Sequence, residues 1–318
     1  MALCSLAQAV KSFRGKTGPR AFRLAYSKSC SRVLLAHGPP QPARKELSIE
    51  PIDPDPASDN VSVSCLLVTL PVPERLPFVT RSIDDFCRQT VKNKNLVLVL
   101  SGGIESIHQA IRDYVASLDR HDIHIFTQPP DWNLGQLRNF SIENATGDVL
   151  CHWDDDDLYH PERLERQLSR LLEGNFEAVY LQEVMQHFPS LGHLYWTNWR
   201  ATEAGGHPAT LMVRREAAVR YSTEGSTARL GEDSEAARAL LARGCVGYVT
   251  AMPHLYIYTS HGGNSWPQEH HRMLAEKLSI SQALLRRREA LIREGMAPHG
   301  MKSGTISVMG NNGPGFVL

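Results

Sequence analysis

The segment 147–173, GDVLCHWDDDDLYHPERLERQLSRLLE, carries the pattern that defines the fold. Residues 147–153 are mostly apolar and predict a buried strand, and residues 161–173 predict a helix with Pro161 in its first turn. Four consecutive aspartates, Asp154 to Asp157, stand between the two elements. A run of acids is usually a solvated surface, but a turn between a strand and a helix is a costly place for four like charges. This position favours a bound cation.

The same alternation of strand and helix precedes this segment. Apolar and β-branched runs predict strands, and apolar residues at helical spacing predict the helices between them. The strands are 61–70, 95–103 and 121–128, and the helices are 75–90, 104–118 and 135–146. Such alternation predicts an α/β fold with a mostly parallel, Rossmann-like sheet flanked by helices. Because ligands bind at the carboxyl ends of such strands, the aspartates lie where a ligand is expected.

The remainder of the chain predicts a smaller mixed region and a tail. An aromatic-rich, antiparallel region follows residue 177, a helix covers 231–244, and a strand with a glycine-rich loop covers 248–266. One basic helix is predicted over 275–295, and the last residues look loose. The predicted divisions are a basic extension and linker at 1–59, an α/β half at 60–160, a smaller mixed half at 161–266, and a helix with a loose tail at 267–318.

Composition excludes several classes of protein. The 318 residues are 42% hydrophobic and 21% charged, with zero net charge, so the whole molecule is not a nucleic-acid binder by charge. The six cysteines show no CxxC pair, which indicates reduced thiols in place of a zinc site or a disulfide framework. No apolar run reaches the ~18 residues that a membrane-spanning helix needs.

The N-terminal residues 1–45 hold nine Lys or Arg and no acid. Three interpretations stay open for this basic extension. It could contact an anionic membrane face, act as an organelle transit peptide, or be simply solvated. The corresponding expectation is a cytoplasmic protein, peripheral at the inner membrane face, with an organelle as the alternative.

The aspartate run itself predicts a metal–diphosphate site. In extended chain, residues i and i+2 point the same way, so Asp154 and Asp156 converge and Asp155 faces away. Carboxylate oxygens suit Mg²⁺ or Mn²⁺, and Mg²⁺ usually shares its coordination sphere with substrate phosphates. A metal-bound diphosphate is therefore the expected ligand.

An ordered set of motifs over about residues 61–266 resembles family 2 glycosyltransferases of the GT-A fold. The motifs are NLGQLRNFSIENATGDVLCHWDDDDLYHPERL, GGHPATLMVRREA, GEDSEAARALLARG and HGGNS. The resemblance implies a metal-dependent, inverting glycosyltransferase that uses Mn²⁺ or Mg²⁺. Its donor would be a nucleotide-sugar, and its acceptor a hydroxyl of a glycan, a lipid-linked molecule or a protein.

The resemblance also implies roles for individual acids. In the family's Asp-x-Asp unit, Asp154 would meet the ribose or metal and Asp156 would ligate the metal, with Asp157 as a supporting ligand. The family's Glu-Asp pair falls at Glu232 and Asp233, which makes Asp233 the general base. Helix N-terminal capping is the competing role for these two acids. His261 matches a third metal ligand of some GT-A enzymes, although a lone histidine is more often structural.

Other matched positions imply contacts with the donor. Asn133, Gly135, Arg138 and Asn139 match the stretch that precedes the aspartates, and Arg138 would contact the nucleotide unless it is a surface cation. Thr69 matches the threonine after the first strand. Ser101 stands where the family places a base-binding aspartate and supplies no carboxylate, which argues against UDP, the family's commonest donor nucleotide.

The acceptor side is indicated by an aromatic cluster. Trp196 and Trp199, with Phe188 and Tyr195, suit stacking against an acceptor, although such clusters are usually core, and His207 would approach the same pocket. Two other classes stay open. A GT-A-like nucleotidyltransferase is disfavoured because TLPVPERLP is not a glycine-rich phosphate loop. A non-catalytic nucleotide- or sugar-binding module is motivated by Ser101.

Overall fold

Strands and helices alternate up to the aspartate run, as the sequence predicted. The computed structural model describes residues 60–225, 231–264, 266–301 and 304–318, so the predicted basic extension and linker at 1–59 lie outside the described residues. The first elements are β1 (Val63–Thr69), α1 (Leu76–Cys87), β2 (Lys94–Ser101), α2 (Glu105–Ser117), β3 (Ile123–Gln128), α3 (Leu134–Asn144) and β4 (Val149–His152).

The elements after the run alternate less regularly. They are β5 (Leu158–Tyr159), α4 (Arg163–Glu173), β6 (Ala178–Leu181), β7 (Glu183–Phe188), β8 (His193–Asn198), β9 (Met212–Arg214), α5 (Glu232–Arg243), β10 (Val246–Val249), β11 (Tyr256–Thr259), α6 (Gln268–Leu278), α7 (Gln282–Arg287), α8 (Glu289–Met296), β12 (Ser307–Gly310) and β13 (Gly313–Val317). No helix within the described ranges is long and apolar enough to span a membrane.

A seven-stranded sheet in the order β10-β6-β9-β4-β1-β2-β3 forms the first layer. Its strands pair in parallel except around β9, which runs antiparallel to both β4 and β6. Helix α4 covers this sheet with Leu164, Leu168 and Leu171, which are fully buried and recur at helical spacing. The predicted mostly parallel α/β sheet is therefore confirmed.

A second, six-stranded sheet in the order β13-β12-β8-β7-β11-β5 is mixed, as expected for the smaller region. β7 and β8 form an antiparallel hairpin, and β11 runs parallel to β7. The short β5, directly after the aspartates, pairs antiparallel with β11. The aspartate run thus connects one sheet to the other.

The C-terminal residues differ from the prediction. The single helix expected over 275–295 is divided among three helices. Residues 279–281 separate α6 from α7, which Ser281 caps by accepting a hydrogen bond from the Leu284 amide at 3.3 Å, and Arg288 separates α7 from α8. The tail that looked loose forms β12 and β13. β12 pairs in parallel with the edge of β8 and buries Val308 completely. The predicted division of the chain at residues 160 and 266 stays a prediction.

Candidate active site

Strand register brings the predicted site residues to one edge of the first sheet. β1 pairs Thr69 with Leu100 of β2, and it pairs Leu66 with His152 of β4. Asp155 lies three residues beyond His152 and is therefore level with Thr69. The Thr69 hydroxyl donates a hydrogen bond to the Asp155 carboxylate. The predicted contact of Thr69 with the donor is replaced, in this structure, by a contact that positions an aspartate.

The four aspartates divide into two buried and two outward side chains. Asp155 and Asp157 are 2% and 0% exposed. The side chains of Asp154 and Asp156 are 27% and 12% exposed. Residues 155–157 form a bend between β4 and β5, so these exposures result from the local turn and its contacts and not from a continuous strand. Asp154 and Asp156 thus have the more exposed side chains of the four, against 3% for the Asp155 side chain, although Asp156 as a whole residue is only 8% exposed.

Asp154 lies against His152 and Arg138. Its Oδ1 is 3.1 Å from His152 Nε2 and 3.6 Å from Arg138 Nη2. Burial opposes ionisation, but the neighbouring His152 and Arg138 hold the pKa of Asp154 well below its usual range. The Arg138 guanidinium also lies 5.6 Å from the centre of the Tyr221 ring. Arg138 is thus an ion-pair partner of Asp154, and its contact with a nucleotide stays a prediction.

Arg75 joins the two central aspartates. Its Nη1 donates to the Asp155 carboxylate, and its Nη2 lies 3.7 Å from Asp156 Oδ2 and 3.4 Å from the Gly263 carbonyl oxygen. Burial and the neighbouring Asp156 charge raise the pKa of Asp155 to about 6, although Arg75 and Thr69 act against that rise. Sequence analysis missed Arg75, because an arginine at the start of a helix has no distinctive signal.

His261 lies against Asp156, the carboxylate that the sequence assigned to the metal. His261 Nε2 is 3.0 Å from Asp156 Oδ2, and His261 Nδ1 accepts a hydrogen bond from the Gly263 amide at 3.0 Å. Since Nδ1 accepts, the hydrogen-bond network assigns the proton to Nε2, which donates to Asp156. The structure thus brings these two predicted ligands together, but as a hydrogen-bonded pair.

Asp157 does not face a ligand. It is fully buried, and its two carboxylate oxygens accept hydrogen bonds from the Tyr256 hydroxyl and, at 2.8 Å, from the Thr259 amide. Burial and the charges of Asp156 and Asp154 raise its pKa well above the usual range. These contacts give Asp157 a structural role, and the supporting metal role predicted for it stays a prediction. This carboxylate ties β11 to the aspartate run.

A buried cation that the sequence did not reveal lies under the run. Arg163 is fully buried, and its guanidinium carbon lies 4.7 Å from the centre of the Tyr159 ring and 5.2 Å from those of Trp153 and Tyr256. Its Nη2 donates to the His152 carbonyl at 3.0 Å. Its charge helps to keep Asp154 ionised. Arg163 looked like an ordinary surface residue of a basic and acidic helix.

The donor atoms fit a metal ion that is shared with a ligand better than one that the protein holds alone. Among the described residues, no three His, Cys, Asp or Glu side chains converge as a metal-binding group. Mg²⁺ sites commonly use only one or two protein carboxylates and complete their coordination with substrate phosphates and water. Asp154 and Asp156 meet that requirement in chemistry and exposure. The residues therefore fit an ion that arrives with a diphosphate.

The predicted catalytic pair lies at the start of α5. The side chain of Glu232 is outside the described part of the structure. The N-cap of α5 is Gly231, and Asp233 lies in the first turn, where its Oδ1 accepts a hydrogen bond from the Ser234 amide at 2.7 Å and its negative charge suits the helix N-terminus. Burial raises the pKa of Tyr258, and the charges of Asp157, Asp156, Asp154 and Asp233 raise it further. Asp233 thus acts on the same phenol as the aspartate run.

Two predicted donor contacts have structural roles. Asn133 caps α3, where its side chain accepts a hydrogen bond from the Gln136 amide at 3.0 Å and donates to the Thr223 carbonyl at 2.8 Å. Both of its polar atoms already have a protein partner, and its contact with the nucleotide stays a prediction. The hydroxyl of Ser101 donates to the Pro129 carbonyl at 2.8 Å. Its oxygen retains only the capacity to accept a hydrogen bond.

The matched residues of α3 hold the chain that leads towards α5. The Asn139 side chain exchanges two hydrogen bonds with the Tyr221 backbone, at 2.8 and 2.9 Å. Gly135 lies so close to the Ser222 carbonyl oxygen that any Cβ would collide with it. The stretch NLGQLRN therefore packs the segment 221–223 against the first sheet.

The predicted acceptor residues separate. Trp196 is fully buried in the second core, where the Arg288 guanidinium carbon lies 4.9 Å from its ring centre, so this structure does not present it to an acceptor. Trp199 is half-buried and its ring centre lies 4.5 Å from that of His207. Burial lowers the pKa of His207 to about 3, so its imidazole is neutral. His207 also lies 5.4 Å from the Tyr258 ring, beside the acids.

Comparison with known proteins supports the fold and the family. Residues 68–222 match the sequence model of the family described as Glycosyl transferase family 2. An uncharacterized glycosyltransferase of Rickettsia bellii is 28% identical over 109 residues, which cover 34% of this chain and 15% of that protein. An uncharacterized glycosyltransferase of Haemophilus influenzae is 23% identical over 120 residues, covering 38% and 47%. The chain thus matches less than half the length of these relatives.

One solved structure shows the same fold. The mannosyltransferase PcManGT of Pyrobaculum calidifontis, solved in complex with GDP-Man and Mn²⁺, superposes with a TM-score of 0.52 at 15% identity. The alignment covers 85% of this chain and 71% of that one. The described residues therefore have the mixed α/β fold of GT-A glycosyltransferases.

Proposed function

We propose that this protein transfers a sugar from a nucleotide-sugar to an acceptor hydroxyl, with inversion at the anomeric carbon, because residues 68–222 match the sequence model of Glycosyl transferase family 2. One observation carries the proposal. Two carboxylates with partly exposed side chains, Asp154 and Asp156, follow β4 at the carboxyl edge of the first sheet. The charge of Asp233 raises the pKa of Tyr258, as the charges of these two carboxylates also do.

On the donor side, Asp154 and Asp156 would hold Mn²⁺ or Mg²⁺ against the diphosphate. When bound, such an ion would neutralise charge that develops on the departing nucleoside diphosphate. Arg138 lies next to Asp154 and adds a positive charge at the same place. Asp155 and Asp157 fix the backbone of the run through Thr69, Arg75, Tyr256 and the Thr259 amide, which holds the outward pair in position.

On the acceptor side, Asp233 would accept the proton of the attacking hydroxyl. An oxygen nucleophile becomes more acidic as its bond to the anomeric carbon forms, so a carboxylate is a sufficient base. His207, which is neutral, and Tyr258 would be the hydrogen-bond partners of acceptor hydroxyls, with the Tyr258 hydroxyl placed 3.1 Å from His271 Nε2. The acceptor class, whether glycan, lipid-linked or protein, and contact of residues 1–45 with a membrane remain part of this proposal.

A donor screen on the full chain tests the function. Thermal-shift measurements with UDP, GDP and their sugar conjugates, with Mn²⁺ or with chelator, identify the nucleotide, and a donor-hydrolysis assay then reports bond cleavage. We expect one nucleotide to stabilise the protein and its sugar conjugate to be hydrolysed slowly. Asp156→Ala should abolish both signals, whereas Asp113→Ala on the outer surface of α2 should leave them unchanged.

The same assays separate the alternatives. Binding without hydrolysis or transfer, even with mixed sugar acceptors present, would instead favour the non-catalytic module, a class that the missing carboxylate at Ser101 keeps open. Absence of binding by any nucleoside diphosphate would exclude the proposed activity.

A further inference from the structure

We infer that Arg75 is the resident counter-cation of Asp156, and that Asp156 exchanges Arg75 for the metal only when the donor's diphosphate arrives. The inference rests on the proposed function, because it assigns a role to a residue beside the donor site. It predicts that binding of the metal and binding of the nucleotide depend on each other.

The two ends of the Arg75 guanidinium are held unequally. Nη1 bonds directly to the buried carboxylate of Asp155, which also accepts from Thr69. Nη2 has only long contacts, 3.7 Å to Asp156 and 3.4 Å to the Gly263 carbonyl. Asp155 therefore anchors the side chain, while Nη2 is able to move to another acceptor without the loss of a strong hydrogen bond.

The chemistry of the guanidinium suits such an exchange. Its planar, forked donors bind carboxylates and phosphates in the same manner, and it stays charged at all relevant pH values. A diphosphate oxygen at the Asp154–Asp156 edge would offer Nη2 a stronger partner than the present 3.7 Å contact. Asp156 would then be free to ligate, while Arg75 would contribute its charge to the diphosphate.

The same charge opposes a metal ion without nucleotide. Without a diphosphate, the only anions beside the Arg75 guanidinium are the aspartates. A metal ion that binds Asp156 is therefore repelled by the positive charge of Arg75. His261 adds a second obstacle, because its Nε2 proton points at the same Asp156 oxygen. The absence of a three-ligand group among the described residues agrees with a site that needs the diphosphate to complete it.

The test measures Mn²⁺ affinity on the full chain by electron paramagnetic resonance of free Mn²⁺, with and without saturating nucleoside diphosphate. The probe is whichever of UDP or GDP stabilises the wild type. For the wild type we expect weak Mn²⁺ binding alone and binding tighter by on the order of tenfold or more with the nucleotide. Arg75→Gln should bind Mn²⁺ alone about tenfold more tightly than the wild type and lose most of this coupling.

Two further variants complete the design. Arg75→Lys keeps one charge near Asp155 but lacks the fork that reaches Asp156, so it should fall between the wild type and Arg75→Gln. Arg112→Gln, which removes an exposed pair with Glu105 on α2, should behave like the wild type. Circular dichroism verifies that each variant is folded.

The outcomes separate this inference from the proposed function. Wild-type Mn²⁺ affinity that does not change on addition of the nucleotide overturns the inference, even if no Arg75 variant folds. Equal Mn²⁺ affinity of folded Arg75→Gln and the wild type also overturns it. Failure of every nucleoside diphosphate to bind, with or without Mn²⁺, overturns the proposed function and the inference together.

Discussion

The imidazole Nε2 of His261 donates a hydrogen bond to the carboxylate of Asp156 over 3.0 Å, joining two loops that are 105 residues apart in the chain. Asp156 follows β4 in the first sheet, and His261 follows β11 in the second. The loop of His261 is itself fixed, because the Asn264 side chain accepts from the His261 amide and donates to the Thr259 carbonyl. The acid run is thereby held from both sheets.

Removal of the His261 donor should lower the stability of the metal-free protein. Because the bond involves a carboxylate at a partly exposed site, His261→Ala should cost about 1 kcal/mol of unfolding free energy. His261→Gln, with an amide N–H that reaches the same carboxylate, should recover most of the loss. Urea denaturation in chelator measures both. If the two variants match the wild type in chelator, the hydrogen bond contributes nothing and a metal-ligand role becomes the better assignment.

Neutralisation of Asp233 should impair turnover while leaving donor binding intact. General-base catalysis typically contributes about 10²–10⁴-fold, so Asp233→Asn should reduce the transfer rate by that factor. Nucleotide affinity should stay within about twofold, because Asp233 is not expected to contact the diphosphate. Glu235→Gln, an exposed acid in the same helix, is the matched control. An unchanged transfer rate in Asp233→Asn would exclude Asp233 as the base.

Loss of Asp157 should affect stability more than ligand binding. Asp157→Ala leaves the Tyr256 hydroxyl and the Thr259 amide without their acceptor, and each buried donor left unsatisfied costs about 1–3 kcal/mol. Relief of the buried charge offsets part of this cost, so we expect a net loss on the order of 2 kcal/mol. Nucleotide affinity in Mn²⁺ measured on folded Asp157→Ala should match the wild type. A strong loss of affinity without a loss of stability would restore the ligand role.

A buried histidine cluster should make stability fall in mild acid. The ring centres of His254 and His160 lie 5.0 Å apart, and burial lowers the pKa of His254 to about 4. An unfolded histidine has a pKa of about 6.5, so below that value the unfolded chain takes up a proton that the folded protein does not. The stabilising contribution is therefore fully present above about pH 6.5 and is lost as the pH falls towards about 4.

The comparison of the wild type with His254→Gln isolates this group from others that titrate. Between pH 7.5 and 5.0 the wild type should lose about 2 kcal/mol of unfolding free energy relative to the variant, since each pKa unit corresponds to about 1.36 kcal/mol. Urea denaturation of both proteins at pH 7.5 and at pH 5.0 gives the four unfolding free energies for this comparison. Parallel losses in the two proteins would show that His254 is not responsible.

Local pattern was sufficient to predict the first half of the fold. β1 to β4 and their helices follow from apolar runs and helical spacing, because each of these strands is hydrophobic along its own length. β12 was not predicted, because a short strand such as TISVMG becomes regular only by pairing with the exposed edge of β8. The single helix predicted over 275–295 overlooked Ser281, whose capping side chain begins a new helix.

The candidate site could be located but not resolved from sequence. The position of the aspartates at a strand end is a local property, and it is present in the structure. Their partners are not local. Arg75 and Thr259 lie 80 and 102 residues from the aspartates that they bond. Asn133 and Trp196 were assigned to ligands because a polar cap or a core aromatic has the same sequence signature as a binding residue.

Sequence alone determined that four carboxylates follow a buried strand, because the apolar pattern of that strand depends only on neighbouring residues. Tertiary structure decided what each carboxylate bonds. Asp155 accepts a hydrogen bond from Thr69 because of the register of β1 with β4. Asp157 accepts one from the Thr259 amide because β5 pairs with β11. Asp156 lies beside His261 and Arg75, because the packing of segments that are distant in the chain brings both side chains to this carboxylate.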